Sequence, residues 1–212
     1  MKAIILFGFS FLLLSCNQQT EKTATITDSL SNKPTLDSKI IDLTGEIISP
    51  FQKELNNAIK DQKIDPYYKD IYKQEKLIVA DDNKMLSITD SLFTNDPNTD
   101  LFFFIVFTKS MNGSDGFYSE ALGLASFNFI TTKTEWFADY FNIAPKLTDQ
   151  DMDNWATYIW GEIQISRENQ EGKAINELEE KLLDNLKGVR EEYKVVIEKL
   201  IKKIRSTAHN TT

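Results

Sequence analysis

The chain has 212 residues, with 32 acidic against 24 basic side chains, a formal net charge of −8, one cysteine and one histidine. That inventory excludes an internal disulfide, a histidine-rich metal site and a zinc ribbon, and its acidity opposes binding to a phosphate backbone. Stability must come from an apolar core, for which 14 Phe, 7 Tyr and 3 Trp supply ample area.

Residues 1–16 carry one positive charge at Lys2, then an apolar run from Ala3 to Leu14 broken only by Gly8 and Ser10, then Ser15-Cys16. Charge, short apolar run and small residue are the three parts of a secretory signal. The run falls short of the roughly 20 apolar residues that a transmembrane helix needs. Its end, Leu13-Leu14-Ser15-Cys16, resembles the lipobox of bacterial lipoprotein precursors, and the resemblance covers these residues alone. It implies that 1–15 is a signal peptide cut before Cys16. It also implies that Cys16 takes a diacylglycerol thioether and, on its new amino terminus, a further acyl chain of the palmitate kind. Two or more chains suffice for stable membrane attachment. Asn17 is not the aspartate that retains such lipoproteins at an inner membrane, so the resemblance implies an outer-membrane location in the cell envelope.

Residues 16–39 read as the lipidated cysteine and a flexible tether. The stretch is polar, rich in Thr and Ser and free of aromatics, so it buries too little to order itself. Its r.m.s. reach is roughly 25–30 Å.

From Ile40 the pattern becomes helical. Ser49-Pro50 and Asp65-Pro66 are cap-plus-proline starts, followed at helical spacing by Phe51, Leu55 and Ala58, then by Tyr68, Ile71 and Tyr72. Residues 76–90 fit either a small β-hairpin or a turn into a helix from about Asn83, the helix being preferred. Asp96-Pro97 is a third start and Asn112-Gly113 a stop; the seven apolar residues Leu101–Phe107 between them suit a helix buried on all sides better than a strand. Ser114-Asp115 opens a helix carrying Tyr118, Leu122, Ala125 and Phe129. Thr134 opens another, which Pro145 ends, and Thr148-Asp149-Gln150-Asp151 opens the next, where Gly161 offers a close helix contact. Ile175, Leu178, Leu182, Leu186, Val189, Tyr193, Val196, Leu200 and Ile204 keep a mean spacing of about 3.6. That spacing predicts one long helix over 173–205, bent at most at Gly188 and about 50 Å long. Residues 207–212 read as a frayed tail. The fold class expected is all-α: an irregular helical bundle or stack, one domain over 40–206, with a long C-terminal helix.

For chemistry, the only histidine, His209, lies in the polar tail, and no phosphate loop, dinucleotide fingerprint or HExxH occurs. Asp149-x-Asp151-x-Asp153 begins like a calcium loop. It then places Asn154 where glycine belongs and Trp160 where a bidentate glutamate belongs, so the acids read instead as helix N-terminal charge. No cofactor or metal is expected. Paired carboxylates are the one catalytic route left, with Glu120, Glu135, Asp139 and Glu162 as candidates in aromatic surroundings. The irregular Ser110–Tyr118 segment suits either a recognition loop or a plain turn. Trp155 and Trp160, five apart, point in different directions, so either one faces a partner or both are core.

Residues 90–168 hold 12 acidic against 4 basic side chains, a field that would steer a basic partner. The sequence therefore predicts an envelope lipoprotein presenting an acidic, non-catalytic, protein-binding helical domain, immunity- or inhibitor-like. A basic envelope protein is the expected partner, and Asp115, Glu120, Asp149, Asp151, Asp153 and Trp155 the expected contact surface. The alternatives are an envelope-glycan hydrolase with two carboxylates and a structural lipoprotein that dimerises through its last helix.

Overall fold

Proline and a capping side chain set the first two helices as expected. In the computed structural model, which describes residues 40–41, 47–114 and 116–211, Ser49 and Asp65 cap α1 (Pro50–Lys60) and α2 (Pro66–Gln74) by accepting from the N–H groups of Gln52 and Tyr67. Residues 1–39 and Asp115 lie outside the described residues, and with them the signal peptide, Cys16 and the tether. Seven more helices follow: α3 (Asp82–Ser91), α4 (Asp100–Ser110), α5 (Gly116–Thr132), α6 (Thr134–Ile143), α7 (Asp149–Ser166), α8 (Glu171–Asn185) and α9 (Glu191–Thr211). The fold is all-α. The only pairing of strands among the described residues joins β1 (Ile40–Ile41) to β2 (Ile47–Ile48), antiparallel, so helix begins at Pro50 rather than near Ile40.

No hairpin forms at 76–90. Leu77 instead donates its N–H to Asn112 O at 2.9 Å, and Tyr67 OH donates to Ile78 O at 2.9 Å. Asp81 then caps α3. Asp96-Pro97 makes a single turn, in which Asp96 O accepts from the N–H groups of Thr99 and Asp100, and α4 starts after it, at Asp100.

α4 is the centre of the helical domain. Leu101, Phe102, Phe104, Ile105, Val106 and Phe107 are fully buried, which is what a helix apolar on every side requires. Around it pack α1, α2, α3 and α7. Phe104 is stacked on Trp155 at 5.3 Å and lies 4.9 Å from Tyr140 and 5.3 Å from Phe129. Trp155 is fully buried, and its indole N–H donates to Thr108 Oγ1 at 2.9 Å. Both Trp155 and Trp160 are core. The close helix contact occurs at Gly123 of α5 rather than at Gly161: a β-carbon on Gly123 would sit 3.3 Å from Tyr158 O, whereas one on Gly161 would meet nothing within 4 Å.

The expected long C-terminal helix is two helices. Gly188 takes φ +84°, a left-handed conformation that glycine adopts without a β-carbon clash, and the chain turns between α8 and α9, which pack on each other. The 3.6 spacing survived because each helix turns its apolar stripe to a common core; Leu182 and Leu186 before the turn are as buried as Ile197 and Leu200 after it. α9 runs on to Thr211, so residues 207–211 are helical and not a frayed tail.

Candidate functional site

Of the residues expected to face a partner, Asp151 and Trp155 do not. Trp155 fills the aromatic core described above. Asp151 is at the third position of α7, where it forms a reciprocal capping box with Thr148. Its Oδ2 accepts from Thr148 N at 2.7 Å and from Thr148 Oγ1 at 2.8 Å. The same oxygen accepts from Lys109 Nζ at 2.8 Å, and both charged side chains are no more than 3% exposed. Lys109 also lies 3.2 Å from Glu75, whose other oxygen takes Lys146 at 2.6 Å. Lys146 and Lys109 together hold the Glu75 carboxyl below the usual carboxylate range. The sequence signal for this junction was a lysine in the last turn of an otherwise apolar helix. A cation there needs a buried partner, but nothing local says which acid supplies it.

Asp149 is exposed and Asp153 half-buried, and neither is free. Lys199 reaches Asp149 at 2.6 Å, and Lys203 reaches Asp149 at 2.9 Å and Asp153 at 2.5 Å. Hydrogen bonds from Lys199 and Lys203 lower the Asp149 carboxyl to about 2. Two of the twelve acids that the sequence places in the middle third, Asp149 and Asp153, are thus paired with lysines of α9, which packs along α7. With Lys202, these groups line a polar groove of about 460 Å³.

Glu120 is the expected contact residue that does stand out into solvent. It lies on α5 between Phe117, 41% exposed, and Leu124, 53% exposed, one and two turns apart on the same helical face. Glu120, Asn128 and Thr132 continue the exposed stripe. On α7, Ile165 is 73% exposed.

The remaining carboxylate candidates fall in two places. Glu135 and Asp139 share one side of α6 at i, i+4. Asp139 is buried and accepts from Tyr193 OH at 2.7 Å, with Arg190 at 3.4 Å. Burial, and then the charge of Asp139, raise the Glu135 carboxyl. Burial also pushes the Tyr193 hydroxyl up. Glu162 is alone beside Gly123, and burial raises it too. Asp139 is therefore a structural acceptor tying α6 to α9. The Ser110–Tyr118 segment is similarly occupied: Ser110 Oγ and Tyr118 OH are 2.8 Å apart, Asn112 Oδ1 accepts from Asn154 at 2.8 Å, and Ser114 bonds to Tyr158 OH.

A second groove, of about 220 Å³, lies where α5, α7 and α8 meet. Phe127, Ile163, Ala174 and Leu178 supply its apolar lining, and Arg167 and Lys181 its cations. No spacing in the sequence pointed to it, because its residues come from three helices. Among the described residues no group of three or more His, Cys, Asp or Glu is arranged to hold a metal ion, and no helix is long and apolar enough to cross a membrane. Comparison with protein-family models, with characterised proteins and with solved structures gave no match.

Proposed function

We propose that the chain is a lipid-anchored protein of the bacterial envelope, attached through Cys16 to the outer membrane, whose helical domain works by binding another protein and carries out no reaction. The observation that carries the binding reading is the exposed face of α5, where Phe117 and Leu124 present large apolar side chains on either side of Glu120. Water-exposed aromatic and aliphatic groups in a row are the usual anchors of a protein contact, with a polar rim for specificity. The net charge of −8 favours a basic partner during the encounter. Close contact then rests on α5, because Asp149, Asp151 and Asp153 of α7 are already matched by lysines. The alternative of dimerising through the last helix draws less support: Ile197, Leu200, Ile201 and Ile204 of α9 are buried within the chain.

The test is photo-crosslinking in envelopes from a probe amino acid placed at Asn128, with and without Leu124→Lys. One discrete crosslinked protein, lost in Leu124→Lys and weakened by high salt, is the expected result. No specific adduct, or an adduct indifferent to Leu124→Lys, refutes the α5 surface. The anchor has its own test. Intact mass of membrane-extracted protein should correspond to a chain starting at Cys16 plus acyl groups, and a retained leader or an unacylated terminus refutes it.

A further inference from the structure

The smaller groove has a chemical character that protein binding at α5 neither uses nor requires. Its floor is apolar, from Phe127, Ile163, Ala174 and Leu178. Two of its cations, Arg167 and Lys181, have no carboxylate partner among the described residues, whereas Glu177 at the same rim is occupied by Lys173 at 3.4 Å. In the larger groove, by contrast, Lys199 is paired with Asp149, and Lys203 with Asp149 and Asp153. An apolar depression beside two unmatched cations is complementary to an anion with an apolar body. A guanidinium matches a carboxylate through two parallel hydrogen bonds, and an ammonium adds a second point of charge.

We propose that this groove binds a small amphiphilic carboxylate, a medium-chain fatty acid anion, with its chain on the Phe127–Leu178 floor and its head on Arg167 and Lys181. The volume of about 220 Å³ is below the roughly 300–1,000 Å³ of sites for drug-sized ligands, so the occupant is short. A peptide would bring backbone N–H groups that need acceptors, and Glu177, the one carboxylate of the groove, already faces Lys173 at 3.4 Å. A fatty acid makes no such demand. Its only polar group is the head, which the two cations serve.

The experiment titrates the ¹⁵N-labelled full-length protein with octanoate, 1-octanol, octyltrimethylammonium and an acetylated tetrapeptide ending in leucine, and follows backbone amide shifts. Octanoate should shift the amides of Phe127, Ile163, Ala174 and Leu178 saturably, 1-octanol more weakly, and the ammonium compound not at those positions. Arg167→Gln with Lys181→Gln should weaken octanoate by about tenfold, toward the affinity of 1-octanol. Ala174→Phe, which fills the groove while leaving both cations, should abolish the shifts. The proposal is overturned if octanoate and octyltrimethylammonium bind alike, if the shifts map elsewhere, if either variant binds as the parent does, or if the peptide binds more tightly than octanoate. None of these outcomes bears on crosslinking from α5, so the two readings fail separately.

Discussion

Removing the ammonium of Lys109 is the sharpest perturbation this structure offers. Lys109 joins α4 to α7 through Asp151 at 2.8 Å and to the end of α2 through Glu75 at 3.2 Å. In Lys109→Met the side chain keeps its length and loses its charge, and Asp151 is left with two donors, both from Thr148. Breaking one side of a buried pair costs about 3–5 kcal/mol, because the remaining charge is stranded away from water. For a domain of this size that corresponds to a fall in Tm of roughly 6–20 °C. Asp151→Leu should cost a similar amount, plus about 1 kcal/mol for the lost cap. The double variant Lys109→Met/Asp151→Leu replaces the pair by apolar groups and should be clearly more stable than the two single losses added together, with a coupling energy of about 1–3 kcal/mol. Urea denaturation followed by far-ultraviolet circular dichroism measures all four corners of the cycle. Single losses under about 1 kcal/mol, or simple additivity, would refute the buried-pair argument.

Three further predictions follow from particular positions. Gly188→Ala should destabilise by about 1 kcal/mol, since alanine resists φ +84°. A continuous helix through that point would instead gain about 1 kcal/mol, so the sign of the change in urea midpoint decides between the two backbones. Trp155→Phe should cost about 1–3 kcal/mol by leaving Thr108 Oγ1 without its buried donor, with loss of near-ultraviolet ellipticity; an unchanged midpoint would contradict the burial. The third concerns acid. The Asp149 carboxyl sits at about 2 in the folded protein against an ordinary 3.8, so its ion pairs contribute fully above pH 3.8 and are lost as pH falls from there through about 2. Because Asp149 is 61% exposed, the contribution is screened to about 0.2–1 kcal/mol. Asp149→Asn should therefore be less stable than the parent at pH 5, with most of that gap closed at pH 2. An equal gap at both pH values would remove the linkage.

Local order in the chain was legible at those helix starts where a cap acts within about four residues. Ser49-Pro50, Asp65-Pro66 and Thr148 with Asp151 announced helix starts because a cap satisfies orphan N–H groups a few residues on. The apolar run Leu101–Phe107 announced a helix enclosed on all sides. Spacing alone misjudged the C-terminal stripe, because a helix that reverses at Gly188 and returns to the same core preserves the phase of its apolar residues. The charge pattern misjudged the contact surface for a related reason. Asp149, Asp151 and Asp153 look alike in sequence, yet Asp151 meets Lys109 from 42 residues away and the other two meet Lys203.

The sequence by itself determined the all-α class, the starts of α1, α2 and α7, and a core built on aromatic side chains; each follows from the 3.6-residue period and from backbone groups that must be capped. Only the tertiary structure decided which charges are neutralised and which are presented. An ion pair between residues 50 apart depends on how α7 and α9 are laid together, and no local preference encodes that. The exposed face at Phe117, Glu120 and Leu124 and the groove that Arg167 and Lys181 overlook have the same origin. Both depend on which faces the packing of α5, α7 and α8 leaves open.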